Sequence, residues 1–369
     1  LTTADKQIVL TMDAGGTSLR FSAVAESEIL FADEVTLPTH SDDLKRCLAS
    51  INDGFALIRD RCSNAPVAIS FGFPGPAQYR AGIIGDISQM SAFRGGVALG
   101  PMLEDKFQIP VFINNDGDLF ALGEARFGLL PQINKQLEKS GNSKRYRNLI
   151  GITLGTGFGG GIVLDGNLLL GDNSIGSEVW LLRHKLDRKR NAGQSGGTRG
   201  LRRAYAKRTD SPYEDSPTPE EIYHIATGEK QGDQQAAVET FTEYGELIGD
   251  AIAQTVAIAD GLVVIGGGIT GASEFFLPSL IDEMNGTYLA ADDESFFRSP
   301  SRVFNLEEAD QLEEFLQPKM QKIAVPQSKR TVEYDATPCI GVGLSTLGAS
   351  RAIALGAFTF AMKELQPKQ

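Results

Sequence analysis

Three glycine-rich turns, each following an apolar, β-branched run, constrain the fold of this chain more than any other feature: "MDAGGTSLRF" (12–21), "TLGTGFGGGIVLDG" (153–166) and "VVIGGGITGA" (263–272). Such runs predict strands, and glycine lets the backbone leave them in conformations that other residues resist. Gly155, Gly157 and Gly160 satisfy G-x-G-x-x-G, the spacing of a dinucleotide-binding turn. That turn needs a helix after it, because the helix N-terminus holds the pyrophosphate. Here "GIVLDGNLLLG" follows, with Asp165-Gly166 between apolar runs, which is a hairpin signal. The glycines therefore join two strands. The N–H groups of such a turn can line a concave anion site, although an ordinary tight turn has the same composition. Gly266, Gly268 and Gly271 repeat the spacing ahead of a helix, but 280–300 contains no convincing strand ending in an acid about 20 residues on.

The segments around the turns alternate in type. Residues 7–37 predict three strands, the first two separated by Gly15-Gly16. Leu44, Cys47, Leu48, Ile51, Phe55 and Ile58 recur at helical spacing, with Ser41 as the expected N-cap. Residues 66–77 predict a strand ending in a Gly/Pro turn, 97–107 a helix, 109–117 a strand and polar loop, and 118–128 a helix. Asn115 and Asp116 fall at the end of that strand, the position where ligands bind in open α/β sheets. They also fit an Asx turn; with Asp118 capping the helix, Asp116 is left for chemistry. In the second half, Thr218-Pro219-Glu220-Glu221 forms a capping box with Pro at the first helical position. A long helix is expected to follow, with Phe241, Tyr244, Leu247, Ile248, Ala251, Ile252, Thr255, Val256 and Ala259 on one face. Residues 286–330 are polar and irregular, as in an insertion, and 345–365 predict a closing helix rich in small residues. Two α/β halves with a cleft between them follow from this pattern.

Length and charge narrow the function. A chain of 369 residues suggests two domains. The formal charge of −12 argues against nucleic-acid binding, which relies on Lys and Arg neutralising phosphates. No apolar run reaches the roughly 18 residues that a membrane span needs, and no signal peptide is expected. Cys47, Cys62 and Cys339 show neither a disulfide framework nor C-x-x-C metal spacing, so a reducing cytoplasm is the expected compartment.

The order D-x-G-G-T (13–17), P-G (74–75), N-D (115–116), G-T-G-x-G-G-G (155–161) and I-G-G-G (265–268) resembles the ROK family of sugar kinases and repressors. "ALGEARFG" (121–128) and the small-residue pattern at 345–357 extend the resemblance, which runs from about Ile8 to Phe360. It implies an α/β fold of two actin-like (ribonuclease H-like) ATPase domains flanking a nucleotide and sugar cleft. The expected smaller domain is 1–116, with 345–369 packed on it; the larger is 117–344. The resemblance further implies ATP and Mg²⁺ as cofactors and a small sugar as substrate, and leaves a homodimer open. Asp13 matches the acid that holds Mg²⁺ through water. Gly15, Gly16 and Thr17, with Gly155, Thr156, Gly157 and Gly159, match the phosphate clamp; Gly266, Gly267 and Gly268 match the nucleoside side. Asp116 matches the general base, and Gly75, Asn115 and Glu178 join it in contacting the sugar. Phosphoryl transfer needs positioning, charge neutralisation and one carboxylate to take the hydroxyl proton, which this set supplies.

The stretch 175–197 departs from the family, where G-E-x-G-H precedes a cysteine-rich zinc knuckle. Leu181 stands where the family has His, and His184, three residues further on, is expected to be a surface residue. The knuckle cysteines are absent, and Asn191 falls where a second sugar-binding Glu belongs. An altered sugar pocket follows. The basic stretch 182–208 fits either a solvated face or one turned toward a phosphate or acidic sugar. An ATP-dependent kinase acting on a hexose or N-acetylhexosamine is the expected function, with a non-catalytic sugar sensor as the alternative. The repressor branch carries a helix-turn-helix ahead of the first strand; the first strand here starts near Gln7, and the acidic charge opposes DNA binding. Tetrahedral zinc needs about four N or S ligands. Elemental analysis of protein purified without added metal is therefore expected to find far less than one zinc per chain, and stoichiometric zinc would refute this reading of 175–197.

Overall fold

The computed structural model describes residues 6–33, 35–87, 90–335 and 338–367; the expected domain ends at 1–5 and 368–369 lie outside the described residues. Two compact units form: Leu1–Gly128 with Gly161–Ser177 and Leu347–Gln369, and Leu129–Gly160 with Glu178–Thr346. The expected boundary at 116 is thus displaced. The helix Asp116–Phe127 stays with the first unit because it packs along the closing helix, Ala349–Glu364.

In the first unit, Ile8–Ala14 pairs antiparallel with Ser18–Ala25, then parallel with Ala68–Gly72, which pairs parallel with Val111–Asn114. The third expected strand is two short ones, Glu28–Ile29 and Val35–Pro38, which both pair with Ser18–Ala25. Strand residues alternate faces. Leu10, Phe21 and Phe71 pack under Ile51, Phe55 and Ile58 of the helix Leu44–Arg61. Phe21 and Phe55 meet edge to face at 5.1 Å. This helix is capped by Asp43 rather than Ser41, because the Asp43 carboxylate accepts the Arg46 N–H at 3.1 Å. On the opposite sheet face, Val9, Val24 and Ala68 meet Ala354, Leu355 and Ala361 of the closing helix.

The closing helix approaches its neighbour backbone to backbone. A Cβ on Gly123 would run into the Ala352 carbonyl, and one on Gly356 into the Leu119 carbonyl.

In the second unit, the strands Leu149–Leu154, Leu262–Gly266, Cys339–Leu344 and Arg302–Asn305 lie side by side in that order, all parallel. Parallel strands buried on both faces are continuously apolar, as "LVVIG" at 262–266 is. The helix expected after the capping box is two helices. Pro219–Thr227 ends at Gly228, whose φ of 82° breaks the helix, and Gln234–Ala259 starts afresh with Asp233 accepting the Ala236 N–H at 2.9 Å. The expected insertion at 286–330 is also more than an insertion. Arg302–Asn305 is the edge strand of the main sheet, with Val303 clamped by both ends of the Asn285 amide. The hairpins around it, Thr287–Leu289 with Ser295–Phe297 and Met320–Ala324 with Thr331–Asp335, stand off the sheet.

Gly356→Ala separates propensity from packing. In an open helix the change stabilises by about 1 kcal/mol, whereas overpacking costs about 1–3 kcal/mol. Urea unfolding is expected to show net destabilisation; an unchanged or raised midpoint would mean that the two helices are not in backbone contact.

Candidate functional site

In the first unit, the strand Val111–Asn114 delivers Asn115 and Asp116 to the start of a helix. The cap is Asn115, not Asp118: its side chain accepts the Gly117 N–H at 2.8 Å, while Asp118 lies buried in the first turn. Asp116 is exposed. Its Oδ1 also accepts the Gly117 N–H, at 2.9 Å, and its charge suits a helix N-terminus. Gly72 backs it: a Cβ there would stand 3.1 Å from the Asp116 Cα. Asn115 Nδ2 reaches toward Tyr79 Oη at 3.5 Å, and Tyr79 in turn donates to the Phe73 carbonyl at 2.8 Å. Gly75 lies against that hydroxyl, since a Cβ there would stand 3.1 Å from it. Gly75, Tyr79, Asn115 and Asp116 are thus one group, and Tyr79 is a member that the sequence did not announce.

Asp13 is the penultimate residue of the first strand, and its Oδ2 accepts the Ser350 hydroxyl at 2.8 Å. The turn beyond it is closed internally: the Gly15 N–H donates to the Ser18 carbonyl at 3.0 Å. Thr39, fully buried, donates its hydroxyl to the Gly15 carbonyl at 2.7 Å and its N–H to the Thr17 carbonyl at 3.1 Å. Gly15, Gly16 and Thr17 are exposed. Ser350 and Thr39 lack any local sequence signal, because their partners lie on distant elements.

The second unit holds the other glycine turns. The Gly155 N–H donates to the Gly157 carbonyl at 3.0 Å, and the Gly155 carbonyl accepts the Thr198 N–H at 2.9 Å. Gly15 and Gly155 therefore use their own amides to shape their turns. Gly159 sits against Thr153, where a Cβ would stand 2.6 Å from the hydroxyl oxygen. Thr156 is exposed beside Gly157. Thr153 and Gly266 are register partners, so the turns leave adjacent strands at the same sheet end. Gly267 has φ 104° and leaves no room for a Cβ beside the Leu154 carbonyl, which fastens the turns to each other; Gly268 faces open space. Among the described residues, no cluster of three or more His, Cys, Asp or Glu could hold a metal.

The sequence pattern of the ROK family matches residues 9–299. The chain belongs to the ROK family. Its fold is the actin-like ATPase fold of that family. A solved structure of glucokinase from Parabacteroides distasonis is 48% identical, covering 98% of this chain and 99% of that one, with a TM-score of 0.87. A glucokinase of Thermotoga maritima is 26% identical over 75% of this chain and 86% of its own length. An N-acetyl-D-glucosamine kinase of Vibrio cholerae is 27% identical over 70% of this chain and 83% of its own.

The stretch that departs from the ROK pattern has its own internal order. Glu178 is half-buried ahead of a short turn of helix, Val179–Leu181, and accepts the indole N–H of Trp180. His184 is buried, contrary to the surface position expected for it. Its Nδ1 accepts the N–H groups of Leu186 and Asp187, each at 3.1 Å, so Nε2 carries the proton and donates to Ser195 Oγ at 2.8 Å. Both ring nitrogens hold the loop. The basic stretch is mixed: Lys189, Arg199 and Arg203 are exposed, while Arg202 and Arg208 bind back to the unit, through the Ser216 carbonyl and Glu243.

Burial pulls the His184 pKa below the usual histidine value, and protonation would turn Nδ1 from acceptor to donor against two N–H groups. The unfolded chain therefore takes up the proton first, at about pH 6.5. The contribution of His184 to stability is present above that pH and is lost as pH falls from there through the lower folded value. Urea unfolding across roughly pH 5–7 is expected to show a shallower pH dependence in His184→Asn, whose side chain does not titrate. An unchanged slope would mean that His184 is not held neutral.

Proposed function

We propose that this ROK sugar kinase transfers the γ-phosphate of ATP to a hydroxyl of glucose, with Asp116 as the general base. The observation that carries the reading is the placement of Asp116. An exposed carboxylate stands at a strand end, fixed by the Gly117 N–H and backed by a glycine, so a hydroxyl can approach it. Glucose is favoured over other sugars by the 48% identity to a glucokinase across nearly the whole chain.

Each group has a role in this reading. Asn115 and the Gly75 turn orient the sugar, with Tyr79 holding Asn115. Glu178 accepts a sugar hydroxyl, its carboxylate aimed by Trp180. Gly16, Thr17, Thr156 and Gly157 contact the phosphates, while Gly15, Gly155 and Gly159 shape the turns that present them. Gly266–Gly268 form the nucleoside wall. The donor set fits Mg²⁺, which keeps several waters and takes one or two carboxylates together with nucleotide phosphates. Asp13 supplies a carboxylate at a strand end, with one oxygen already fixed by Ser350. When bound, the ion neutralises charge on the transferring phosphoryl group. Asp116 accepts the proton of the attacking hydroxyl.

Asp116→Asn keeps the size of the side chain but cannot take the proton. Turnover with glucose and MgATP is expected to fall about 10²–10⁴-fold, while calorimetric affinities for glucose and nucleotide change far less. A variant within roughly tenfold of the parent would remove Asp116 from the role of base. If the parent protein binds a sugar yet phosphorylates none across a hexose and N-acetylhexosamine panel, the protein is a sugar sensor instead.

A further inference from the structure

The helix Thr198–Arg208 begins against the glycine turn at 155–157. Its first N–H, from Thr198, donates to the Gly155 carbonyl at 2.9 Å. Gly197, just ahead of the helix, is pressed onto the turn. A Cβ there would stand 2.5 Å from the Thr156 carbonyl oxygen and 2.9 Å from the Gly157 Cα. The preceding residue is pinned as well, since the buried Tyr244 hydroxyl donates to the Gly196 carbonyl at 2.8 Å. The start of this helix is therefore a fixed wall of the turn.

That wall carries an unanswered positive charge. A helix N-terminus behaves as roughly half a positive charge and favours acids and side-chain caps. The Asp116 helix has Asp116 and Asp118 in its first turn, and Pro219–Thr227 has Glu220 and Glu221. Thr198–Arg208 has no acid in its first turn, and Gly197 offers no side-chain cap. Its second residue is instead Arg199, which adds a full positive charge at the same point.

The other arginines of the helix are occupied. Arg202 donates to the Ser216 carbonyl at 2.6 Å, Arg203 lies over the Tyr213 ring at 5.7 Å, and Arg208 pairs with Glu243 at 2.5 Å. Arg199 is exposed and, among the described residues, makes no ion pair. Side chains on a helix lean back toward its N-terminus. From the second position, Arg199 is thereby directed past the helix end, where Thr156 and Gly157 are exposed.

We propose that Arg199 binds the terminal phosphates of the nucleotide held on the 155–157 turn and neutralises charge on the phosphoryl group as it transfers. The assignment rests on the nucleotide reading of that turn. An anion there answers the helix end and the guanidinium together. The glycine and threonine contacts of the turn are neutral, whereas a guanidinium meets phosphate oxygens with two parallel N–H donors.

Calorimetry on the full chain with MgATP and with glucose, beside steady-state turnover, tests this. Arg199→Ala is expected to weaken MgATP binding roughly tenfold or more and to lower turnover about 10²-fold, with glucose affinity unaltered. Arg199→Lys, which keeps the charge but not the fork, is expected to fall between the parent and Arg199→Ala. Guanidinium ion below denaturing concentration is expected to restore part of the turnover of Arg199→Ala. Without nucleotide, the urea midpoint of Arg199→Ala is expected to stay level or rise, because the substitution removes a charge that opposes the helix dipole. A lowered midpoint, or an equal loss of MgATP and glucose affinity, would make Arg199 a structural residue and overturn the proposal. If the parent binds MgATP and Arg199→Ala binds it equally well, the proposal alone fails. If the parent binds no MgATP, the nucleotide reading fails and takes the proposal with it.

Discussion

The contact between the closing helix and the Asp116 helix sets the end of the first unit where Asp13 and Asp116 stand. Gly123 and Gly356 let the two backbones touch, each beneath a carbonyl of the other helix. Asp116 lies about two helical turns from Gly123, and Ser350 lies a similar distance from Gly356 on the partner helix. Helices are stiff over that length, so one close contact positions both. Through Ser350 it reaches Asp13 on the first strand, by the 2.8 Å hydrogen bond. Residues 13, 116 and 350, far apart in sequence, are thereby held by a single packing arrangement. A helix of small residues, distant in sequence from Asp13 and Asp116, is what fixes them.

Glycine serves two purposes in these turns. At Gly267 the backbone adopts a φ of 104° that side chains resist, and the nearby Leu154 carbonyl excludes a Cβ as well. At Gly15 and Gly155 the N–H closes the turn instead of facing outward. Such a glycine-rich turn therefore divides its labour between residues that make the shape and neighbours left exposed on it. The loop 178–197 solves a related problem without metal ligands. Trp180 fixes the Glu178 carboxylate, and His184 ties three points of the loop together through two backbone N–H groups and Ser195. Holding a loop with a neutral buried imidazole makes its stability sensitive to acid, because protonation would turn Nδ1 against two backbone N–H groups.

The strands and their turns were legible in the sequence because β-branched runs and glycine signals are local. The strand ends at Ala14, Asn114 and Leu154 lie where "MDAGG", "INND" and "TLGTG" announce them. What escaped depends on partners remote in the chain. Arg302–Asn305 is a sheet strand only because Asn285 and Cys339 receive it, and its polar flanks disguised it. The break at Gly228 was hidden by a capping signal that fits one helix or two equally well. Asn115 displaced Asp118 as cap because the geometry at the strand exit, not residue type, decides which side chain meets the Gly117 amide. Tyr79, Thr39 and Ser350 act through hydrogen bonds across 6, 24 and 337 residues, the last two beyond the reach of periodicity.

The second unit separates its two ends by chemistry. Parallel strands place every C-terminal end on one side, where adjoining turns can share a ligand and where glycine is needed. The N-terminal ends are under no such demand, so the chain can elaborate there without disturbing the turns. Both hairpins grow from that side, and their anchoring faces are tied by Arg298 to Asp250 and Glu283 and by Lys144 to Asp335. A parallel sheet can therefore carry added hairpins at one end of its strands while the backbone geometry at the other end stays fixed.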